Sequence, residues 1–363
     1  MNRAEWSENI VKLVIIKNKF LIKSIKIISA VFLLLLPFLI TAVIEYFSLP
    51  EIDQYNEKEA VIIPRGATLK EISNILYKKG LIEDKELFIF WITSLGKDRS
   101  LKAGLFNIPK GLNYAQLVSY LSQARSAEIK VTLIEGWRIE SIVEHLAVSL
   151  ELNEDKLIEL VYDTTFIHSL GVEASSLEGY LLPDTYYLYW GIDEVKVIKF
   201  LVDQCFDLFT DDIKARLDSM NFTIHQILTL ASIIEGEAVV DDERPLISSV
   251  FHNRLKKRIK LQACPTIQYI KPGSPSRLLN SDLEIDSPYN TYKYYGLPPG
   301  PINNPGRNSI FAAIYPEKTE FLYFVAKGDG RHTFSRTGRE HIREKLKFDR
   351  IRREVYKKKR RHK

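Results

Sequence analysis

The feature that most constrains this sequence is a stretch of 18 residues without a charged side chain, from Ile27 to Ile44. As a helix it would be roughly 27 Å long, the lower end of what spans a bilayer. Six lysines and arginines against two glutamates precede it, and the positive-inside rule places such a segment in the cytoplasm. We therefore predict a cytoplasmic basic segment over 1–26, a transmembrane helix over 27–44 and an exported remainder. A cleaved signal peptide is the alternative, but the stretch exceeds a usual signal-peptide core and no A-x-A-like cleavage site follows it.

The composition is that of an ordinary globular protein, with 45% hydrophobic and 27% charged residues. Its 363 residues suit two domains rather than one. The net charge of +5 is mild and much of it lies at the two ends of the chain, so we expect no nucleic-acid partner. Cys205 and Cys264 match no zinc-binding spacing; a disulfide and two buried thiols are both open, and thiols are the prediction. No P-loop, GxGxxG, HExxH or GxSxG motif occurs, and we expect neither a cofactor nor a metal.

A strand, a glycine turn and an amphipathic helix follow the polar linker 45–60. The segment VIIPRGATLKEISNILYKKGLI starts at Val61, and VTLIEGWRIESIVEHLAVSLEL repeats its pattern 70 residues later, with Gly66 aligned to Gly136. Two copies are either an internal duplication or a coincidence of common local structure, and the sequence leaves both open.

Between the two copies the same theme recurs once more. We expect turns at Gly104 and Gly111 and a helix that starts near Asn113. The region 61–130 is therefore predicted to be a small α+β module, followed by a mainly helical domain over 131–350.

Apolar periodicity in the second region indicates helices over 154–163, 193–219, 224–240 and 244–257. After them come a loop rich in glycine, proline, asparagine and tyrosine over 265–306, a strand over 321–327, a hairpin partner over 332–335 and a charged helix from Gly338. The basic residues of 351–363 are most simply a solvated tail. The predicted fold class is α+β, with short strands and a helical majority.

The stretch SIIEGEAVV, residues 232–240, holds two carboxylates in apolar surroundings, Glu235 and Glu237. Apolar side chains occur on nearly every side of this helix, which predicts a buried helix, and desolvation there would raise the pKa of a carboxyl group. Two residues apart on a helix, the glutamates diverge by about 200°, so both cannot face one substrate group. Either could be catalytic, or could form a buried ion pair with Arg244 or Arg254, and periodicity does not choose between them.

Five sequence blocks resemble those of one family. SLEGYLLPDTYYL, LASIIEGEA, VFHNRL, LQACPTIQY and YNTYKYYGLPPGPINNPG occur in this order. Together they resemble the membrane-anchored endolytic murein transglycosylases, the YceG-like family, from the anchor to about residue 345. The resemblance implies a bacterial inner-membrane enzyme with a LysM-like module over 61–130 and a lysozyme-like catalytic domain over 131–350. It also implies that the first glutamate of the IEGE block, Glu235, is the catalytic residue.

The resemblance implies endolytic cleavage of peptidoglycan strands at the bond between N-acetylmuramic acid and N-acetylglucosamine. Hydrolytic glycosidases usually need two carboxylates, whereas a lytic transglycosylase can use one, because the muramyl 6-hydroxyl replaces water. Glu235 would act first as acid and then as base, and leave a 1,6-anhydro end. Nascent glycan strands, the cytoplasmic membrane and peptidoglycan synthases are the implied partners. The alternatives are a non-catalytic wall-binding scaffold and a hydrolase in which Glu178 or Asp184 is the second carboxylate.

Other residues of the blocks are candidates for binding sugar. Aromatic rings offer flat faces to sugar C–H groups, and amides and hydroxyls bond sugar hydroxyls, so the tyrosine-rich loop is a candidate cleft wall; a proline-stiffened loop with core tyrosines is the alternative. The substrate-binding candidates are Glu178, Asn253, Gln262, Thr266, Tyr289, Asn290 and Tyr292. Cys264 stands where many family members have aspartate, which favours a structural role for that position.

Overall fold

The computed structural model describes residues 29, 31–37, 39–40, 43–44, 57–273 and 276–361. The predictions for 1–26 and for most of the linker 45–60 lie outside these residues, and the segment 27–44 is described in part. Over what is described, no helix is both long enough and apolar enough to cross a membrane. The chain divides into two compact units, 1–127 and 128–363.

The first unit has a two-stranded antiparallel sheet, in which β1 (Lys58–Ile63) pairs with β2 (Gly104–Pro109) and Val61 lies opposite Phe106. Its helices are α1 (Leu69–Lys78), α2 (Lys85–Ser94) and α3 (Tyr114–Gln123). Sheet and helices enclose a core of their own, whose buried members include Val61, Leu76, Phe88, Ile92, Phe106, Ile108 and Val118. The α+β content predicted for this region is confirmed.

Local chemistry explains where the first helix starts. Gly66 has φ +70°, a left-handed conformation that favours glycine and turns the chain after β1. Thr68 and Glu71 then form a reciprocal capping box, in which each side chain accepts a hydrogen bond from the other residue's main-chain N–H. The predicted order of strand, glycine turn and helix is confirmed here.

The glycines between the two copies behave differently from each other. Gly111 has φ +90° and forms the predicted turn, after which Asn113 caps α3. Gly104 is the first residue of β2, so the turn predicted there is wrong. A side chain at Gly104 would meet the Cβ of Ser126 at 2.8 Å, and this close packing explains the glycine.

The second unit begins with β3 (Glu128–Thr132), which pairs antiparallel with β4 (Thr185–Tyr189). Between these strands lie α4 (Ile139–Leu150), α5 (Glu154–Tyr162) and α6 (Thr164–Ser169). After β4 come α7 (Glu194–Phe206), α8 (Asp211–Met220), α9 (Ile224–Glu237), α10 (Arg244–Lys256), α11 (Cys264–Ile270) and α12 (Arg307–Ile314). An antiparallel hairpin and a long helix follow: β5 (Tyr323–Ala326), β6 (His332–Ser335) and α13 (Gly338–Arg361).

The second strand, glycine turn and helix have the local structure of the first. Gly136 lies between β3 and α4 with φ +76°, as Gly66 lies between β1 and α1 with φ +70°. Each strand pairs with a later strand of its own unit. The similarity of local structure is confirmed, while its origin by duplication stays a prediction.

Most of the predicted helices of the second unit are confirmed, with two differences. The helix predicted over 193–219 is wrong as a single element, because α7 ends at Phe206 and the chain turns Leu208 and Phe209 into the core before α8. α9 ends at Glu237, and Ala238 after it has extended dihedrals. The last helix starts at Gly338 as predicted and continues through the basic segment to Arg361.

Candidate active site

Helix α9 passes through the core of the second unit and carries the two glutamates in its last turn. Every residue from Ile227 to Ile234 is buried, which confirms the prediction of a buried helix for this part of α9. Gly236, between the glutamates, lies against α11: a Cβ there would be 2.6 Å from the Cβ of Pro265. The glycine is therefore needed for the close packing of α9 on α11.

Glu235 points to α10 and to the loop before α12. Its Oε1 accepts a hydrogen bond from Nη1 of Arg244 at 3.0 Å, and its Oε2 accepts one from the main-chain N–H of Gly306, also at 3.0 Å. The side chain is 7% exposed. Both oxygens have donors, and of the two arginines considered as ion-pair partners, Arg244 is the one that Glu235 contacts.

Arg244, at the start of α10, contacts several polar side chains of the site. Its Nε donates to Asp241 at 2.9 Å, and its Nη1 donates to the hydroxyl of Ser309 in α12 as well as to Glu235. Its Nη2 lies 3.9 Å from Oε2 of Glu135. The guanidinium is buried, and its planar fork of donors suits several acceptors at fixed angles.

Glu135 is a carboxylate that sequence reasoning missed. It lies in the turn before α4, its side chain is 44% exposed, and its carboxyl group covers the Cα of Gly306 so closely that a side chain on Gly306 would overlap it. Burial, and then the charge of Glu235, raise the pKa of Glu135. The available signal was the second glycine turn, IEGW, which carries an acid where the first copy has Arg65.

Glu237 points elsewhere, as the helical geometry predicted. Its Oε1 accepts a hydrogen bond from the main-chain N–H of Cys264 at 3.0 Å, at the start of α11. Burial raises the pKa of Glu237 to about 7, against the opposing effects of that hydrogen bond and of the Arg254 charge. The predicted effect of apolar surroundings on a carboxyl is thus confirmed at Glu237.

The loop PINNPG contacts the sequence block around residue 178 and the turn before α4. The side-chain oxygen of Asn304 accepts hydrogen bonds from the N–H groups of Gly179 and Leu181 at 2.9 and 3.0 Å. Its amide nitrogen donates to Glu178 at 2.8 Å and to the main chain of Trp137 at 3.1 Å. Asn304 was not singled out from the sequence, and its position explains why the blocks around 178 and 304 belong together.

Glu178 lies inside this junction. It is 3% exposed, and its carboxyl also accepts a hydrogen bond from the N–H of Ile139 at the start of α4. Burial raises the pKa of Glu178 to about 8, more than the hydrogen bonds from Ile139 and Asn304 lower it. These contacts are those of a buried group that fixes the loops around it.

Three more of the predicted substrate-binding residues are occupied by contacts to the main chain. The amide of Asn253 donates to the carbonyls of residues 319 and 321 at 2.9 and 3.0 Å. Asn290 is fully buried and its amide donates to the carbonyls of residues 283 and 285. Thr266 is also fully buried, and its hydroxyl donates to the carbonyl of residue 263.

Gln262, Tyr289 and Tyr292 are more accessible. Gln262 is exposed and has φ +49°, and its N–H donates to the carbonyl of residue 291. The rings of Tyr289 and Tyr269 are 4.9 Å apart, and the guanidinium of Arg138 lies 4.5 Å from the centre of the Tyr269 ring. This stack is a partly exposed aromatic surface of the second unit.

The hydroxyl of Tyr292 lies 3.2 Å from Sγ of Cys264. Both cysteines of the chain are free thiols, as predicted, with Cys205 buried in α7 and Cys264 exposed. The prediction that both would be buried is therefore wrong for Cys264, because it starts the short helix α11 at the edge of the loop region.

These features define an α+β protein whose mainly helical second unit presents one glutamate at the end of a buried helix, held by an arginine and by a glycine in the loop before α12. The chain belongs to the YceG-like family, whose model matches residues 61–347.

Three relatives illustrate the similarity. The chain is 35% identical over 302 residues to an endolytic murein transglycosylase of Bacillus subtilis, with 79% of this chain and 83% of that protein covered. An endolytic murein transglycosylase of Streptococcus pneumoniae is 30% identical over 342 residues, which is 82% of this chain and 61% of that protein. A crystal structure of a YceG-like protein from Listeria monocytogenes matches with a TM-score of 0.55 and 33% identity, over 79% of this chain and 98% of that one.

Proposed function

We propose that this protein is an endolytic murein transglycosylase, a lyase that cuts peptidoglycan glycan strands within the chain. The observation that carries the proposal is the environment of Glu235, which ends a buried helix with one oxygen on Arg244 and the other on the N–H of Gly306, each at 3.0 Å. Family membership and the similarity to two endolytic murein transglycosylases support the same activity.

The reaction needs one carboxyl group that works twice. Glu235 in its acid form donates its proton to the glycosidic oxygen, while the bond from that oxygen to C1 of N-acetylmuramic acid breaks. The 6-hydroxyl of the same sugar bonds to C1, and the Glu235 carboxylate takes the hydroxyl proton. Glu235 is acid again, no water is consumed, and the sugar ends as a 1,6-anhydro ring.

The contacts of Glu235 suit the intermediate stage of this reaction. Between the two proton transfers the glutamate carries a negative charge in a nearly dry position. Arg244 and the N–H of Gly306 are fixed donors to that carboxylate, and preorganised donors of this kind stabilise charge without having to reorganise. Both donors come from elements packed against α9, so their positions depend on the fold.

The contacts of Glu178 and Asp184 do not favour either as the second carboxylate of a hydrolase. Glu178 is 3% exposed and accepts hydrogen bonds from Ile139 and Asn304. Asp184 forms an ion pair with Arg307 at 3.2 Å and accepts from the N–H of Thr185. A single acting glutamate is the simpler reading, and it gives anhydro ends rather than reducing ends.

The glycan is proposed to lie along the aromatic surface formed by Arg138, Tyr269 and Tyr289. Gln262 and Tyr292 are the other accessible candidates for contacts to sugar. Asn253, Thr266, Asn290 and Glu178 keep a role in binding through the loops that their hydrogen bonds fix. Neither a cofactor nor a metal enters this scheme.

The first unit is proposed to be a LysM-like module that binds glycan. In chain order, the helices α1 and α2 come between the antiparallel strands β1 and β2. This order supports the comparison with a LysM module. The segment 27–44 is proposed to be a single membrane anchor, with 1–26 cytoplasmic and both units extracytoplasmic. The support is the uncharged stretch and the basic residues before it. An anchored enzyme would act on nascent strands near the membrane, where peptidoglycan synthases are the proposed partners.

The competing function is a non-catalytic scaffold that binds the wall. Full-length protein in detergent is incubated with purified uncrosslinked glycan strands, and the products are analysed by mass spectrometry. The proposal expects internal cleavage and 1,6-anhydro ends. Strands that remain intact would favour the scaffold, and reducing ends would favour a hydrolase.

A further inference from the structure

We propose that Glu135 is a second carboxyl group of the active site, a positioning residue that acts on Glu235 through Arg244 and keeps one proton on the pair of glutamates. The inference rests on the proposed function, in which Glu235 must begin the reaction as an acid. It concerns a residue far from Glu235 in sequence, in the turn between β3 and α4.

The two glutamates share one arginine. Nη1 of Arg244 donates to Oε1 of Glu235 at 3.0 Å, while Nη2 of the same guanidinium lies 3.9 Å from Oε2 of Glu135. The two carboxyl groups thus lie on neighbouring nitrogens of one planar fork. If one carboxyl group gains or loses its charge, the interaction of the other carboxyl group with the shared guanidinium changes as well.

They also share one glycine and one turn. The N–H of Gly306 donates to Glu235, and the carboxyl of Glu135 covers the Cα of the same glycine. Gly136, next to Glu135, lies against Glu235 as well, since a Cβ there would be 3.5 Å from Cγ of Glu235. The turn that carries Glu135 is therefore packed directly on the catalytic side chain.

The local charges do not balance. Arg244 is one positive charge, and it is in contact with Glu235, Asp241 and Glu135. Asp184, which also acts on Glu135, has its own partner in Arg307. With three carboxyls around one guanidinium, repulsion between neighbouring acids favours a state in which the pair retains a proton.

The two glutamates differ in exposure and in their proposed roles. Glu235 is 7% exposed and Glu135 is 44% exposed, so Glu135 reaches solvent and exchanges its proton with water readily. Arg244 and the N–H of Gly306 each donate a hydrogen bond to the carboxyl group of Glu235. The charge of Glu135 opposes them, so that Glu235 is available as an acid when the glycan binds.

The test is the pH profile of kcat/KM for glycan cleavage by the full-length protein in detergent. Wild type, Glu135→Gln and Glu173→Gln are compared; Glu173 is an exposed glutamate of the same unit and gives the same charge change. We expect the alkaline limb of Glu135→Gln to move about one pH unit toward acid, and that of Glu173→Gln to stay with wild type. An alkaline limb of Glu135→Gln that coincides with wild type overturns the inference, even if its maximal rate is lower.

A second variant covers the case in which Glu135→Gln is inactive. Glu135→Asp keeps the charge on a shorter side chain, so the limb should move in the same direction by less than one unit; an unmoved limb again overturns the inference. Failure of the proposed function is distinguishable, because the wild type would then give no anhydro ends at any pH. An active wild type with unmoved variants refutes only the role of Glu135.

Discussion

Arg244 donates from Nη1 to Oε1 of Glu235 over 3.0 Å, and the two side chains are each only 7% exposed. Burial removes water from both groups, so Glu235 depends on Arg244 for its charged partner. A buried ion pair adds little net stability, but removal of one member leaves an uncompensated charge. This one contact therefore connects the stability of the second unit to the chemistry at Glu235.

Replacing Arg244 by methionine should lower both stability and activity. The buried carboxyl of Glu235 loses its guanidinium donor and Asp241 loses the same partner, so we expect the free energy of unfolding to fall by about 3 kcal/mol. Loss of a fixed donor to the catalytic carboxylate should reduce kcat by roughly 100-fold. Chemical denaturation and the rate of anhydro-end formation measure the two effects.

The matched control for this change is Arg307→Met. Arg307 pairs with Asp184 at 3.2 Å, but both side chains are 43% exposed. Exposed ion pairs contribute about 1 kcal/mol or less, so the control should unfold nearly as wild type does. If both variants lose the same stability, burial is not what makes the Arg244 contact important.

Glu235→Gln should abolish cleavage while Glu237→Gln should remain active. The amide at position 235 can donate no proton to the leaving oxygen, whereas Glu237 holds the N–H of Cys264 and can keep that contact through its remaining oxygen. Glycan binding of both variants should stay close to wild type, and Glu235→Gln should remain folded because Arg244 keeps Asp241 and Glu135 as charged partners. An inactive Glu237→Gln beside an active Glu235→Gln would reverse the assignment of the two glutamates.

Gly236→Ala should destabilise the junction of α9 and α11. The new Cβ would lie 2.6 Å from that of Pro265, and relief of such an overlap typically costs about 1–3 kcal/mol. Activity should fall too, since the helix end that bears Glu235 must shift. Gly338→Ala is the control, because its Cβ would meet nothing closer than the Tyr323 hydroxyl at 3.6 Å. Equal melting temperatures for the two variants would show that the glycine between the glutamates is dispensable.

Local patterns in the sequence were sufficient for much of the fold. The apolar character of α9 on all sides predicted its burial, and the spacing of Glu235 and Glu237 predicted that they face different partners. Strong apolar periodicity and the glycine turns located most of the helices and the strands β1 and β3. Each of these features depends on residues within a few positions of one another.

The assembly of the site could not be predicted in the same way. Arg244 and Gly306 contact Glu235, and Glu135 contacts Arg244, from three separate elements, and nothing in their local sequence specifies these contacts. The prediction of one helix through the end of α7 was wrong for a related reason. Leu208 fits a helical pattern, but tertiary packing places its side chain in the core. The IEGE block was assigned through family resemblance, which carries long-range information that periodicity lacks.

Glu178→Gln should make the folding stability of the protein less sensitive to rising pH. The folded-state pKa of Glu178 is raised to about 8 from an ordinary value of 4.5, so the folded state binds this proton more tightly than the unfolded state does. The contribution of Glu178 to stability is then fully present below pH 4.5 and is lost as the pH rises toward 8, by roughly 5 kcal/mol. The glutamine oxygen can still accept from Ile139 and Asn304 without carrying a charge. Melting temperatures from pH 5 to pH 9 should show a gap between variant and wild type that widens with pH, and Glu173→Gln should show none; parallel curves for all three proteins would contradict the prediction.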